Sequence, residues 1–177
     1  NKELGQVLAE RICQDFGGDL KGKIIGILSG NTGQIAMRQR LQGLQEKLLA
    51  AGAQVQWQMA EMGRNPDQRL LEKNWAQGAD IVVALENDET ERAVDYLNEN
   101  PEILSECALY GIGNSEKVVY YLDKGMIRAL LAPNEFHMGY QSVEELAMKL
   151  EYHAIEKRNV TTGYLLIDKD SLYDTEN

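Results

Sequence analysis

Apolar residues recur along this chain in two alternating rhythms, and their order predicts a fold. Residues 2–16 place Leu4, Leu8, Ile12 and Phe16 four apart with Val7 between them, the stripe of an amphipathic helix that Gly17-Gly18 ends. An apolar run over 23–28 then reads as a buried strand. A Ser-Gly-Asn-Thr-Gly turn leads into a helix over about 34–50, whose inner face carries Met37, Leu41, Leu44 and Leu48. Residues 55–59 alternate apolar side chains with glutamines, the pattern of a half-exposed strand. Asn65-Pro66-Asp67 supplies an N-cap, a proline at the first helical position and a first-turn acid, for a helix that buries Leu70, Leu71 and Trp75.

A short apolar strand over 80–85 precedes a helix to about 98, punctuated by Pro101. A fourth strand follows over 107–112, with 113–115 as its exit loop, then a helix over 115–122 and, after Gly125, a fifth strand over 127–132. Beyond Pro133 a long helix places Val143, Leu146, Ala147, Leu150 and Ala154 on one face, and 161–167 make a final strand before an acidic tail. Strand and helix alternate without repeats. This predicts an α/β fold with a doubly wound, mainly parallel sheet and helices on both faces.

Composition narrows the partners. A formal net charge of −10 over 177 residues excludes nucleic acid for this segment, because phosphate binding needs clustered Lys and Arg. No apolar run approaches the ~20 residues of a membrane helix. Cys13 on the apolar side of a helix and Cys107 at a strand start read as buried free thiols, and neither has the spacing of a metal site. The chain opens at Asn1, without Met and inside helix-like sequence, so we expect a fragment whose true start lies upstream.

Three strand exits carry an asparagine: Asn31, Asn87 and Asn114. In a parallel sheet all three lie on the carboxyl edge, where ligands collect; the plainer role of each is a turn former or helix cap. The SGNTG turn lacks the ending of a P-loop and the spacing of a dinucleotide fingerprint. Arg38 and Arg40 flank the buried stripe of the second helix, Arg40 the nearer, so one is placed to reach a cleft while the other is solvated. Asp88 and Glu89 read either as paired carboxylates for acid–base work or as acids answering a helix dipole, and the second is preferred. There is no GxSxG elbow, no acid ending the first strand, and no nucleophile near His137 or His153 in sequence. Binding without chemistry fits best, with no catalytic residue, cofactor or metal.

In their order, several weak motifs carry a resemblance: the opening N-x-x-L-G-x-x-L-A; R-Q-R-L-Q-G-L; E-N-D-E at a strand exit; Y-G-I-G-N-S; G-M-I-R-A; and F-H-M-G-Y before the long helix. Together they resemble the C-terminal part of a type I periplasmic binding protein, the superfamily of ABC-transporter sugar receptors and lactose-repressor-like effector domains. The resemblance implies one lobe of a two-lobed fold. Residues 1–132 would be the C-terminal ligand-binding lobe, 133–160 a hinge crossing and a helix that packs on a missing N-terminal lobe, and 161–177 a terminal strand and tail. It implies that Arg40 and Asn87 bind sugar hydroxyls and that Ala132 and Pro133 lie at the hinge; the strand exits add Asp88, Asn114 and Asn31 as candidate ligand-binding residues.

Two positions depart from the family pattern. Gly113 stands where an aspartate is usual, and Pro133 or Ala132 where a glutamine is usual. A hydrogen bond to a charged group contributes roughly 1.5–3 kcal/mol, against about 8 kcal/mol for micromolar binding. Losing both groups would weaken a hexose or pentose to about millimolar unless Asn114 or another group substitutes. The implied function is a periplasmic or extracellular receptor, a membrane-anchored lipoprotein in one form. It would bind a sugar or similar small polar ligand and serve an ABC permease or membrane sensor. The alternatives are the effector domain of a cytoplasmic lactose-repressor-like regulator and, from another class, a flavodoxin-like enzyme domain in which Asp88 or His137 lines a pocket. Without its lobe, the helix over 139–157 is expected to fold against this one or to dock on a second copy as a dimer.

Overall fold

The computed structural model describes residues 1–60, 68–134, 139–140, 143, 146–148, 150 and 163–173. Its elements run α1 (Lys2–Asp15), β1 (Ile24–Gly30), α2 (Ile35–Ala50), β2 (Gln54–Ala60), α3 (Gln68–Trp75), β3 (Ile81–Ala84), α4 (Asn87–Glu99), α5 (Pro101–Leu104), β4 (Ala108–Ile112), α6 (Glu116–Asp123), β5 (Ile127–Pro133), β6 (Tyr164–Asp168) and a 3-10 turn (Ser171–Tyr173). The strands form one sheet in the order β2-β1-β3-β4-β5-β6. All neighbours pair in parallel except β5 and β6, which are antiparallel.

Period-2 alternation divides the core between the two faces of the sheet. Ile25, Ile27, Ile81, Val83, Tyr110 and Leu131 point to the layer of α1 and α2, where Leu8, Ile12, Leu44 and Leu48 cover them. Leu28, Val82, Ala84, Leu109 and Leu130 point the other way, against Leu71, Trp75, Val94, Leu97, Val118 and Leu122 of α3, α4 and α6. In the helices before β5 the expected stripes hold except at Leu70, which is 42% exposed while Leu71 and Trp75 are buried. Strand β2 buries Trp57 and Met59 and exposes Gln54, Gln56 and Gln58, as its alternation and its place at the sheet edge require. Pro101 begins a short helix rather than only ending one, since a proline fits the first helical turn. Both cysteines are free, Cys107 buried and Cys13 partly so.

Strand β1 lies between β2 and β3, so the first crossover leaves on one side and the next on the other. The carboxyl ends of β1 and β3 therefore flank a switch point, where open α/β sheets leave a crevice. Helix α2, which follows β1, packs closely on α1. A methyl group at Gly5 would collide with the Arg40 carbonyl, and one at Gly43 with that of Lys2, so glycine alone permits this approach.

The Asn65-Pro66-Asp67 cap, His137 and His153 lie outside the described residues. In the late helix, Val143, Leu146 and Leu150 are described and open to solvent, at 68%, 57% and 71% exposure. This part of the stripe does not fold against the sheet.

Candidate functional site

The candidate site is built from the exits of β1, β3 and β4. At the first, the chain turns through Gly30 with φ +64°, and Asn31 Oδ1 accepts the Gly33 N–H at 2.9 Å, closing an Asx turn. Buried Ser29 donates to the Met59 carbonyl at 3.1 Å and ties this exit to the end of β2. Arg38, exposed, folds back onto the Thr32 and Gly33 carbonyls at 2.9 Å each. Arg40, two residues on, turns instead toward β3: its NH1 donates to the Leu85 carbonyl at 3.0 Å and its Nε to Asn1 Oδ1 at 3.2 Å. Burial draws the Arg40 pKa down, and the charge of Glu86 opposes that shift by favouring the guanidinium. Of the two arginines, Arg40 is the one held at the switch point.

At the second exit Glu86 precedes α4 in extended conformation, and Asn87 opens the helix. The Asn87 carbonyl oxygen accepts the N–H groups of Asn114 and Ser115 at 3.3 and 3.1 Å; its amide donates to Glu91 Oε1 at 2.9 Å. Ser115 donates to the same Glu91 oxygen at 2.6 Å while its hydroxyl caps α6. The exits of β3 and β4 are thereby locked together, with one amide hydrogen of Asn87 left for another partner. Gly113 follows from this packing: a Cβ there would lie 2.6 Å from Asn87 Oδ1, so an aspartate at that position requires Asn87 to move.

The structure thus joins Asn87 directly to Asn114 and sets Arg40 against the residue before Glu86. Asp88 and Asn31 are exposed, and among the described residues neither is hydrogen-bonded to Arg40 or Asn87. Glu89 is no partner for Asp88: it is 1% exposed and holds Arg92 with both oxygens at 2.9 Å. Ala132 and Pro133 end β5 opposite Leu165 and Tyr164 of β6, where the chain leaves the sheet and returns. Sequence reasoning missed Asn1, Glu86, Glu91 and Ser115. The i, i+4 spacing of Asn87 and Glu91 was the available signal.

An open groove of about 290 Å³ lies at the opposite, amino edge, lined by Arg11, Asp15, Arg128 and Asp168 among others. Arg11 bridges Asp15 and Asp168 there at 2.8 and 2.9 Å. Among the described residues no His, Cys, Asp and Glu side chains cluster to hold a metal, and no helix is long and apolar enough to cross a membrane.

A profile of the periplasmic binding protein domain matches residues 1–153. No curated protein sequence matches the chain. Among solved structures, an ABC-transporter solute-binding protein from Burkholderia graminis in complex with D-arabinose is similar, at TM-score 0.87 and 16% identity over 100% of this chain and 62% of that one. A carbohydrate transporter solute-binding protein from Agrobacterium radiobacter, also with D-arabinose, gives 0.83 and 18% over 98% and 60%. A LacI transcriptional regulator, so described provisionally, from Bacteroides fragilis gives 0.78 and 17% over 97% and 60%. The chain therefore spans about three fifths of the length of these solved relatives. With the profile covering most of its length and the fold shared with these solved structures, the chain belongs to the periplasmic binding protein family and carries a lobe of the type I fold.

Proposed function

We propose that this chain is the ligand-binding lobe of a solute receptor that takes a sugar or similar polyol. The observation that carries the reading is the pair of donors at the carboxyl edge, the Arg40 fork and the remaining N–H of Asn87, at the switch point of the sheet. Guanidinium and carboxamide donors suit the oxygens of adjacent hydroxyls. D-Arabinose in two of the similar structures supports a pentose or hexose as the ligand class. Asp88, Asn114 and Asn31 are the neighbours a ligand would meet at this edge.

In this reading, 1–132 is the binding lobe, 133–160 crosses to a second lobe and back, and 161–177 closes the sheet. Ala132 and Pro133, beside the returning β6, form the hinge on which two lobes close. The exposed stripe of Val143, Leu146 and Leu150 is covered by that second lobe, or by a second copy when the lobe is absent. The receptor serves an ABC permease or membrane sensor from the periplasm or cell exterior. The Bacteroides regulator supports a second reading, a cytoplasmic effector domain in which the same site binds the inducer.

The test is a thermal-shift and calorimetric panel on the intact protein with D-arabinose, D-allose, D-glucose and D-galactose, with Arg40→Ala as control. We expect one sugar to stabilise the protein and Arg40→Ala to weaken it by roughly 10- to 100-fold, the loss of a charged hydrogen bond. Unchanged affinity in Arg40→Ala overturns the assignment of the site.

A further inference from the structure

Arg40 and Asn87 present one kind of group to a ligand. Two of the Arg40 hydrogens are taken by the Leu85 carbonyl and Asn1, and the rest of the fork remains a set of donors. Asn87 has spent its acceptor on the backbone N–H groups of Asn114 and Ser115, and one of its hydrogens on Glu91, leaving a donor. A sugar hydroxyl enclosed by donors alone has its oxygen satisfied and its hydrogen stranded, and a stranded polar hydrogen is costly away from water. An acceptor has to stand beside them.

Glu86 stands there. Its backbone is pinned at the exit of β3, where its carbonyl accepts the Thr90 N–H at 3.0 Å and lies 2.9 Å from the Thr90 hydroxyl. That hydroxyl is also 3.0 Å from the Ile112 carbonyl at the end of β4. The side chain reaches across the gap to β1 and lies on Gly30, where a methyl group would overlap Oε1 and sit 3.2 Å from Cγ. The left-handed φ of +64° favours glycine at position 30, and any side chain there would push the Glu86 carboxylate aside. Arg40, hydrogen-bonded to the carbonyl of the preceding residue, lies on the same side of the switch point.

We propose that Glu86 is the acceptor of this site, receiving the hydroxyl hydrogens of a diol whose oxygens take hydrogens from Arg40 and Asn87. This inference rests on the sugar-binding reading above. It makes Glu86 a specificity-determining residue: the site selects a free hydroxyl, which both donates and accepts, over an ether, a fluoro group or hydrogen at that carbon.

The experiment uses the intact protein and whichever of the four panel sugars binds, together with its singly deoxygenated and fluorinated analogues. Affinity is measured for wild type, Glu86→Gln, Glu86→Asp and Arg40→Ala, with circular dichroism confirming that each is folded. We expect Glu86→Gln to lose about tenfold or more against the parent sugar. That loss disappears against the analogue lacking the contacted hydroxyl, and Glu86→Asp recovers part of it. A purely structural role would lower affinity equally for sugar and analogues, and that result overturns the proposal, as does wild-type binding by Glu86→Gln. If Arg40→Ala still loses binding in either case, only the role of Glu86 falls. If Arg40→Ala binds normally, or none of the four sugars binds, the sugar site itself falls and this proposal with it.

Discussion

Among the described strands β6 is the antiparallel one, and the Asp168 carboxylate fastens its far end. Asp168 Oδ1 accepts the Ser171 N–H at 2.8 Å and the Ser171 hydroxyl at 2.7 Å, while Oδ2 accepts Arg11 NH1 of α1 at 2.9 Å. The Ser171 backbone and hydroxyl bonds, and then Arg11, hold the Asp168 carboxyl down from its ordinary 3.8 to about 2. A drop of nearly two units, at about 1.36 kcal/mol each, sets an upper bound of about 2.5 kcal/mol. The side chain is 24% exposed, so solvent screening brings the expected contribution to about 1–2 kcal/mol.

The folded pKa lies below the unfolded one, so this stability is present in full above about pH 4 and is lost as pH falls toward 2. Urea unfolding of wild type and Asp168→Asn from pH 7 to pH 2 measures it, because the other carboxylates titrate in both proteins and largely cancel in the difference. We expect a gap of about 1–2 kcal/mol at pH 5–7 that narrows below pH 4 and nears zero at pH 2. A gap that stays constant across this range would show that the residue acts through packing alone. Equal stabilities at pH 7 would refute the clamp.

Gly5→Ala should destabilise the protein by about 1–3 kcal/mol through collision with the Arg40 carbonyl, lowering Tm by several degrees. Alanine is otherwise the better helix former, so a stabilised variant would disprove the close crossing of α1 and α2. Tyr110→Phe removes the hydroxyl that donates to Asp15 Oδ2 at 2.8 Å from a fully buried ring and should cost about 1–2 kcal/mol. The check is a lower urea midpoint at unchanged m-value; an unchanged midpoint counts against that bond.

Much of this fold was written locally. The apolar runs over 80–85 and 107–112 marked buried strands, and the four-residue spacing of Leu4, Leu8 and Ile12 marked the inner face of α1. Helix and strand periods depend only on backbone geometry, so the chain carries them without reference to distant residues. The same local logic misplaced Leu70, because a helical stripe defines a direction but not how far the covering layer extends. It put Arg40 nearer the stripe than Arg38, but did not give the group that Arg40 meets, the Leu85 carbonyl 45 positions away.

The candidate site depends on such long-range meetings. That strand exits carry Asn31, Asn87 and Asn114 is visible in sequence; that Asn87 joins Asn114, while Asn31 folds onto its own turn, is decided by the register of β3 beside β4. Likewise, that residue 113 is a glycine is read directly, but the reason, the amide of Asn87 against it, exists only when two loops pack together. What the sequence determined by itself was the rhythm of elements, their inner faces and the residue types available for binding. The tertiary structure alone decided which of those groups meet, because hydrogen bonds and close contacts act over a few ångströms in space and take no account of distance along the chain.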